Sequence, residues 1–303
     1  MAGGAEKNGL KSGFIAVVGR PNVGKSTLVN KLVGQKVSIT SPRPQTTRSP
    51  IRGVRNGPGY QAIFVDTPGS QKPRDTLRAR MQEQVVDSLG ESDVILFLLD
   101  APQAAGEIGS GDRYVAGLVA DSGTPAIVCI NKIDLLRTRV EVLPIVEEVS
   151  ALGEWREIFP ISATSGINVE PLIDSVVGLL PPGPRYFPEG TVTDYPESLV
   201  LAEYVREKAL NVLREEVPHA VAVEIEDVER KENVTVVYAI IHVERATQRM
   251  IVLGKGGRTI KQIGTEARRD VERLLGTRIY LDLKVKVSQG WRSDRKFLER
   301  LGL

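Results

Sequence analysis

Near the amino end, Gly19, Arg20, Pro21, Asn22, Val23, Gly24, Lys25 and Ser26 fit the pattern G-x-x-x-x-G-K-[ST], and Thr27 follows. The chemistry such a run can do is anion binding. Successive main-chain N–H groups curl into a concavity at a helix start, and glycine lets the backbone approach a phosphate closely. In that setting the Lys25 amine reaches β- and γ-phosphates and the Ser26 hydroxyl can ligate Mg2+. Farther on, Asp66-Thr67-Pro68-Gly69 offers a carboxylate for a water-mediated Mg2+ contact and a Gly69 N–H for a γ-phosphate. Asn131-Lys132-Ile133-Asp134 is sharper. A carboxylate at Asp134 accepts from both the N1–H and the exocyclic amine of guanine, and adenine would leave it desolvated and unpaired. The Lys132 stem can lie along the base, and Ser162-Ala163 places an N–H at Ala163 within expected reach of the guanine O6. Thr46 and Thr47 lie in a loop whose Pro42-Arg43-Pro44-Gln45 start suits neither helix nor strand. A threonine hydroxyl there, assigned to Thr47, completes the Mg2+ shell when a γ-phosphate is present, so that the loop orders with nucleotide state.

These motifs need a scaffold that collects strand ends. β-Branched runs at 14–18, 60–65, 94–99, 126–130 and 157–161 alternate with helix-length periodic segments at 25–33, 77–89, 110–121, 140–152 and 168–180. Such alternation predicts a mostly parallel sheet covered by helices. The unbroken apolar runs at 94–99 and 127–130 suit strands buried on both faces. Each motif then falls at a strand's carboxyl end, with a further strand expected near Ile51.

Pro181-Pro182-Gly183-Pro184, with Pro188 and Gly190 behind, interrupts this pattern. The boundaries expected are a flexible amino end at 1–12, a nucleotide-binding domain at 13–182, a linker at 183–195 and a smaller α+β domain at 196–303. The second part reads as a helix at 196–213, two strands, a long helix with Ile260, Ile263, Ala267, Val271 and Leu274 on one face, and a last strand at 279–287. Between its helical segments lies Gly254-Lys255-Gly256-Gly257, a G-x-x-G loop of the kind that clamps a nucleotide backbone. Residues 245–300 hold 15 Lys+Arg against 6 Asp+Glu, a net of +9, whereas 189–244 hold 5 against 13, a net of −8. Arg258, Lys261, Arg268, Arg269 and Arg273 fall outside the apolar stripe, so RNA phosphates are the expected partner. Gly254, Lys255, Gly256, Gly257, Arg258 and Lys261 are the candidate contacts.

The 303 residues exceed one small domain, and 41% hydrophobic with 26% charged residues describes a folded chain. No apolar run approaches a membrane span, and the first dozen residues lack a signal's apolar core. One cysteine, Cys129, excludes an internal disulfide and fits a reducing cytoplasm; it reads as a small core residue. His219 and His242 have no cysteine or histidine cluster beside them and suggest no metal site. Of the two tryptophans, Trp291, near Arg292, Lys284 and Lys286, is the better candidate for stacking on RNA.

In unpermuted order, these five elements resemble the GTP-binding domain of translation-factor-related GTPases. With the glycine loop behind them, the chain resembles the bacterial Era family over all but its first dozen residues, closest at residues 19–26 and at Pro44-Gln45-Thr46-Thr47-Arg48. The resemblance implies an α/β P-loop GTPase domain followed by a type II KH domain. It also implies binding to the 3′ end of 16S ribosomal RNA and the 30S subunit, maturation of that subunit, and loose peripheral association with the inner membrane. A cytoplasmic monomer cycling between GTP and GDP is expected. Ser70 stands where Ras-like enzymes carry a water-orienting glutamine, and it departs from the hydrophobic residue usual in the Era family. Asn22 suggests another route, since an asparagine there helps bind K+ in related GTPases. Lys25, Asn22, Thr47 and Gly69 are the residues expected to serve slow, K+-assisted hydrolysis. Two other readings compete. One is a passive RNA-binding assembly factor that GTP merely stabilises; the other is a GTPase whose second domain binds protein or acidic lipid.

Overall fold

The computed structural model describes residues 9–43, 45–71 and 76–303; Pro44 and most of the expected flexible amino end, residues 1–8, lie outside them. The chain divides into two compact units. The first comprises Met1–Ser38, Thr47–Arg74 and Arg78–Asp194; the second comprises Ile39–Thr46, Asp75–Leu77 and Tyr195–Leu303.

In the first unit, β1 (Lys11–Gly19), β2 (Ile51–Gly57), β3 (Tyr60–Asp66), β4 (Val94–Asp100), β5 (Ala126–Asn131) and β6 (Glu157–Pro160) form one sheet in the order β2-β3-β1-β4-β5-β6. All neighbours are parallel except β2, which pairs antiparallel with β3 at the edge. The helices are α1 (Lys25–Val33), α2 (Thr76–Gly90), the short α3 (Ala101–Ala104), α4 (Ser110–Ser122), α5 (Val142–Ser150) and α6 (Val169–Leu179). Alternate residues of the central strands feed two cores. Ile15, Val17, Leu96, Leu98 and Cys129 pack with α1 and α6 on one face; Ala16, Val18, Phe97, Leu99 and Ile130 pack with α4 and α5 on the other. Burial on both faces explains why β4 reads as an unbroken apolar run. The proline- and glycine-rich stretch after α6 lies along the β2–β3 edge: the Val54 N–H donates to the Val192 carbonyl at 2.8 Å, and Gln61 Oε1 accepts from the Tyr186 N–H at 2.8 Å.

The second unit contains α7 (Glu197–Val212), α8 (Val217–Ala220), β7 (Ala222–Arg230), β8 (Thr235–Val243), α9 (Ala246–Leu253), α10 (Arg258–Leu275), β9 (Ile279–Val287) and α11 (Arg295–Arg300). Its sheet runs β7-β8-β9, with β8 antiparallel to β7 and parallel to β9. The apolar stripe of α10, through Ile263, Ala267 and Val271, meets the core beneath that sheet. Ile39 joins the same unit's core with Leu201 and Tyr204. The neighbouring backbone is gripped by α7: Glu207 accepts the Thr40 N–H at 2.9 Å, and Arg206 donates to the Thr46 carbonyl. Among the described residues, no helix is long and apolar enough to cross a membrane.

Candidate functional site

The parallel order brings the carboxyl ends of β1, β3, β4 and β5 together, where open α/β sheets place their ligand crevice. β1 ends in Gly19, and the loop from Arg20 to Gly24 leads straight into α1, whose first N–H groups have no intrahelical partner. Gly24 has φ 102°, and a Cβ there would lie 2.3 Å from the Asn131 amide nitrogen, so the position admits only glycine. Inward-facing ties hold the loop's carbonyls. Lys25 Nζ donates to the Gly19 and Arg20 carbonyls at 3.0 and 2.9 Å, Lys132 Nζ to Asn22 at 2.7 Å, and Asn131 Nδ2 to Val23 at 2.8 Å. With its carbonyls turned inward, the loop can present N–H groups outward. Asn22 takes a left-handed φ of 66°.

Ser26, Thr47 and Asp66 meet at one point. The Ser26 and Thr47 hydroxyl oxygens are 3.0 Å apart, and the Thr47 hydroxyl donates to Asp66 Oδ2 at 3.2 Å. Asp66 is fully buried, and its Oδ1 has no hydrogen-bond partner among the described residues. The Ser26 and Thr47 hydroxyls with a carboxylate whose Oδ1 is unpartnered among the described residues suit a small divalent cation. Burial raises the Asp66 carboxyl above its ordinary range, against the opposing pull of the Ser26 hydroxyl and the Lys25 charge. Burial also pushes the Lys25 amine down to about 8, with Asp66 opposing. A bound phosphate would favour the charged form of Lys25, and a bound metal that of Asp66.

Behind Asp66, the Thr67 hydroxyl donates to the Val17 carbonyl at 2.8 Å, and the turn through Pro68 brings Gly69 against Pro21. Ser70 is buried; its N–H donates to the Gly19 carbonyl at 3.1 Å, and its hydroxyl has no hydrogen-bond partner among the described residues. At the base end, Asn131 is a buried organiser whose Oδ1 accepts the Ala163 N–H at 2.9 Å. The Ala163 N–H, the group expected at the guanine O6, is thus donated to Asn131, whose amide also holds the Val23 carbonyl. Ser162 is buried beside it and accepts the Ser165 N–H at 3.1 Å. Asp134, in a 3-10 turn, is exposed and able to face a base.

In this geometry the unit can take a guanine nucleotide with a divalent cation. Residues 14–132 match the family described as 50S ribosome-binding GTPase, and residues 216–292 match the KH domain family. A curated GTPase Era from Carboxydothermus hydrogenoformans is 45% identical over 294 residues, 96% of this chain and 97% of that protein. The chain belongs to the Era family of GTPases. Two solved Era structures superpose with a TM-score of 0.93 each, covering 97% of this chain and 99% of theirs. One, 42% identical, is a complex with MgGDPNP and nucleotides 1506–1542 of 16S ribosomal RNA; the other, 41% identical, is an Aquifex aeolicus Era variant bound to GDP and AlF4−.

In the region that matches the KH domain family, the G-x-x-G loop joins α9 to α10. Gly254, Gly256 and Gly257 have φ of 71°, 61° and 76°, which side-chain-bearing residues avoid. Lys255, Gly256, Arg258 and Lys261 are exposed there. Trp291 requires a correction. It is 1% exposed and its indole N–H donates to the Ala220 carbonyl at 3.1 Å, so it is a core residue and does not stack on RNA. Of the nearby charges that suggested otherwise, Lys284 and Lys286 lie exposed on β9, and Arg292 is half-buried and paired with Glu244.

Two acidic residues escaped the reading of the sequence. Asp100, at the end of β4, pairs with Lys132 at 2.5 Å and caps α3 through the Gln103 N–H. Asp112, in α4, pairs with Arg20 at 3.0 Å. Neither lies in a short motif; only the strand-end position of Asp100 hinted at a role.

Proposed function

We propose that the chain is a GTP-driven, RNA-binding switch that engages the 3′ end of 16S ribosomal RNA during maturation of the small subunit. The observation that carries the reading is the meeting of Ser26, Thr47 and Asp66 beside the Lys25 amine, on the same sheet edge as Asn131. In that reading Mg2+ is held by the Ser26 and Thr47 hydroxyls and, through water, by Asp66. It would neutralise charge on the transferred phosphoryl group. Lys25 binds the β- and γ-phosphates, the Gly69 N–H meets the γ-phosphate, and Asp134 reads guanine. Residues 19–27 and 66–69 cradle the phosphates, Asn131 and Lys132 fix the loop from behind, and Ser162 and Ala163 stand at the base end, where the Ala163 N–H meets Asn131. The KH loop, Gly254 to Gly257 with Arg258 and Lys261, clamps the RNA backbone.

Ser70, at the place of the water-orienting glutamine of Ras-like enzymes, is buried. Hydrolysis therefore rests on backbone groups and on a cation bound with the help of Asn22, for which K+ is proposed. The experiment is multiple-turnover phosphate release in K+ and in Na+, with and without an RNA of the 16S 3′-end sequence. Faster release in K+, lost in Asn22→Ala, and acceleration by the RNA support the reading. Equal rates in both salts sink the K+ part. An absence of turnover under every condition leaves the passive assembly factor.

A further inference from the structure

The ties described above act on the carbonyls of the phosphate loop, whereas another acts on a side chain and comes from α4. Arg20 runs to the first turn of α4, where its Nη1 donates to Asp112 Oδ2 at 3.0 Å. The receiving turn is shaped for it. A Cβ at Gly111 would lie 2.9 Å from the Arg20 Cδ and Nε, so the guanidinium stem occupies the space a side chain would need. Asp112 is 4% exposed, and its Oδ1 has no hydrogen-bond partner among the described residues. A buried carboxylate is costly unless it is paired. Arg20 is the pairing partner, while burial and the neighbouring Asp100 both favour the neutral form.

Such an arrangement is poor for stability alone, and what Arg20 supports accounts for it. Arg20 stands between Gly19 and Pro21, and both meet the turn after β3. A Cβ at Gly69 would lie 2.8 Å from the Pro21 Cα and Cγ, and the Ser70 N–H donates to the Gly19 carbonyl at 3.1 Å. Residues 19–21 are thus the floor on which Gly69 rests.

We propose that Asp112 is a positioning residue for GTP hydrolysis: through Arg20 it fixes that floor and so seats the Gly69 N–H for the γ-phosphate. The proposal builds on the reading of Gly69 given above. Asp112 touches no nucleotide itself, so its effect belongs to steps that need the γ-phosphate. GDP binding, which does not use Gly69, is spared.

Asp112→Asn, which keeps an oxygen for Arg20 but removes the charge, and Arg20→Lys, which keeps the charge but loses the fork, are to be compared with the unaltered protein. GDP affinity, GTP affinity and kcat are measured in each, with Asp112→Ala, Arg20→Ala and their combination as a double-mutant cycle. The expected result in Asp112→Asn is a fall in kcat of about tenfold with GDP affinity changed by less than about twofold, and Arg20→Lys, which alters the phosphate loop itself, should lower kcat at least as much. The double variant should be no worse than either single one. Equal losses of GDP and GTP affinity, additive losses in the cycle, or an unchanged kcat in Asp112→Asn would each overturn the proposal. The unaltered protein separates the two levels. If it fails to turn over GTP, the reading of the site is wrong; if it turns over GTP and Asp112→Asn matches it, only the role of Asp112 falls.

Discussion

Lys25 is a buried amine beside a buried carboxylate, so a phosphate brought to it would change its electrostatic surroundings. Its amine sits at about 8 because burial disfavours the charge more than Asp66 restores it. Relative to an unfolded lysine, the folded chain binds fewer protons between about pH 8 and 10.5, so this group adds stability as pH rises through that window. Nucleotide binding has the opposite sign. Phosphates favour the ammonium, so binding takes up a proton above about pH 8, and GTP affinity falls with rising pH, approaching tenfold per unit. Calorimetry in two buffers of different ionisation enthalpy measures that uptake directly; release of a proton would contradict the assignment. Asp134 makes a different kind of contribution, being exposed and unstrained. Asp134→Asn trades a charge-assisted double acceptor for a group that must present a donor to one guanine hydrogen. The expected loss is about 1.5–3 kcal/mol, roughly 10- to 100-fold in GTP affinity, with no change in thermal stability of the free protein. Competition binding with guanine and adenine nucleotides checks it.

At the scale of elements, β1 to β6 and the helices that serve the site were legible because their periodicity is dictated by burial on two faces. The expected helix 25–33 coincides with α1, and the expected strand 279–287 coincides with β9. What was left without bounds or escaped has local reasons. β2, expected only as a strand near Ile51, reads Ile51-Arg52-Gly53-Val54-Arg55, whose glycine and arginines suit an edge strand and blur its limits. α3 and α11 are too short to show a period, and each is started instead by an aspartate cap, Asp100 and Asp294. Motif residues could be found from spacing, but Asp112 could not, because its partner is 92 positions away. Trp291 shows the converse: its charged neighbours pointed outward while its ring turned into the core. Trp291→Ala should cost about 3–5 kcal/mol of stability, as a truncated buried aromatic does. Trp291→Phe, which strands the Ala220 carbonyl, should cost about 1–3 kcal/mol. Denaturant unfolding gives both numbers, and RNA affinity of the folded Phe variant should match the unaltered chain. A selective loss of RNA binding without loss of stability would restore the stacking role.

Over the whole molecule, the charge is segregated along the sequence, and the count of +9 for residues 245–300 overstates what RNA can use. Arg273 pairs with Asp270 at 2.9 Å, Arg292 with Glu244 at 2.8 Å, Arg295 with Glu299 at 2.9 Å and Arg300 with Glu224 at 2.8 Å. Lys255, Arg258 and Lys261, by contrast, have no ion pair among the described residues, and they flank the glycine loop. Phosphate contacts release condensed cations, so each one made by these three side chains steepens the dependence of log affinity on log salt by about 0.7 for a single strand. Replacing all three with glutamine should flatten the slope by about 2 and weaken binding to every sequence alike. Replacing Arg273 and Arg292 should leave the slope near its original value, since their charges already serve carboxylates of the protein. Fluorescence-anisotropy titrations of a 16S 3′-end oligonucleotide across a salt series distinguish the two sets. Equal flattening by both would mean that the RNA reads the overall field of the basic segment; flattening confined to the first set places the backbone clamp at the G-x-x-G loop.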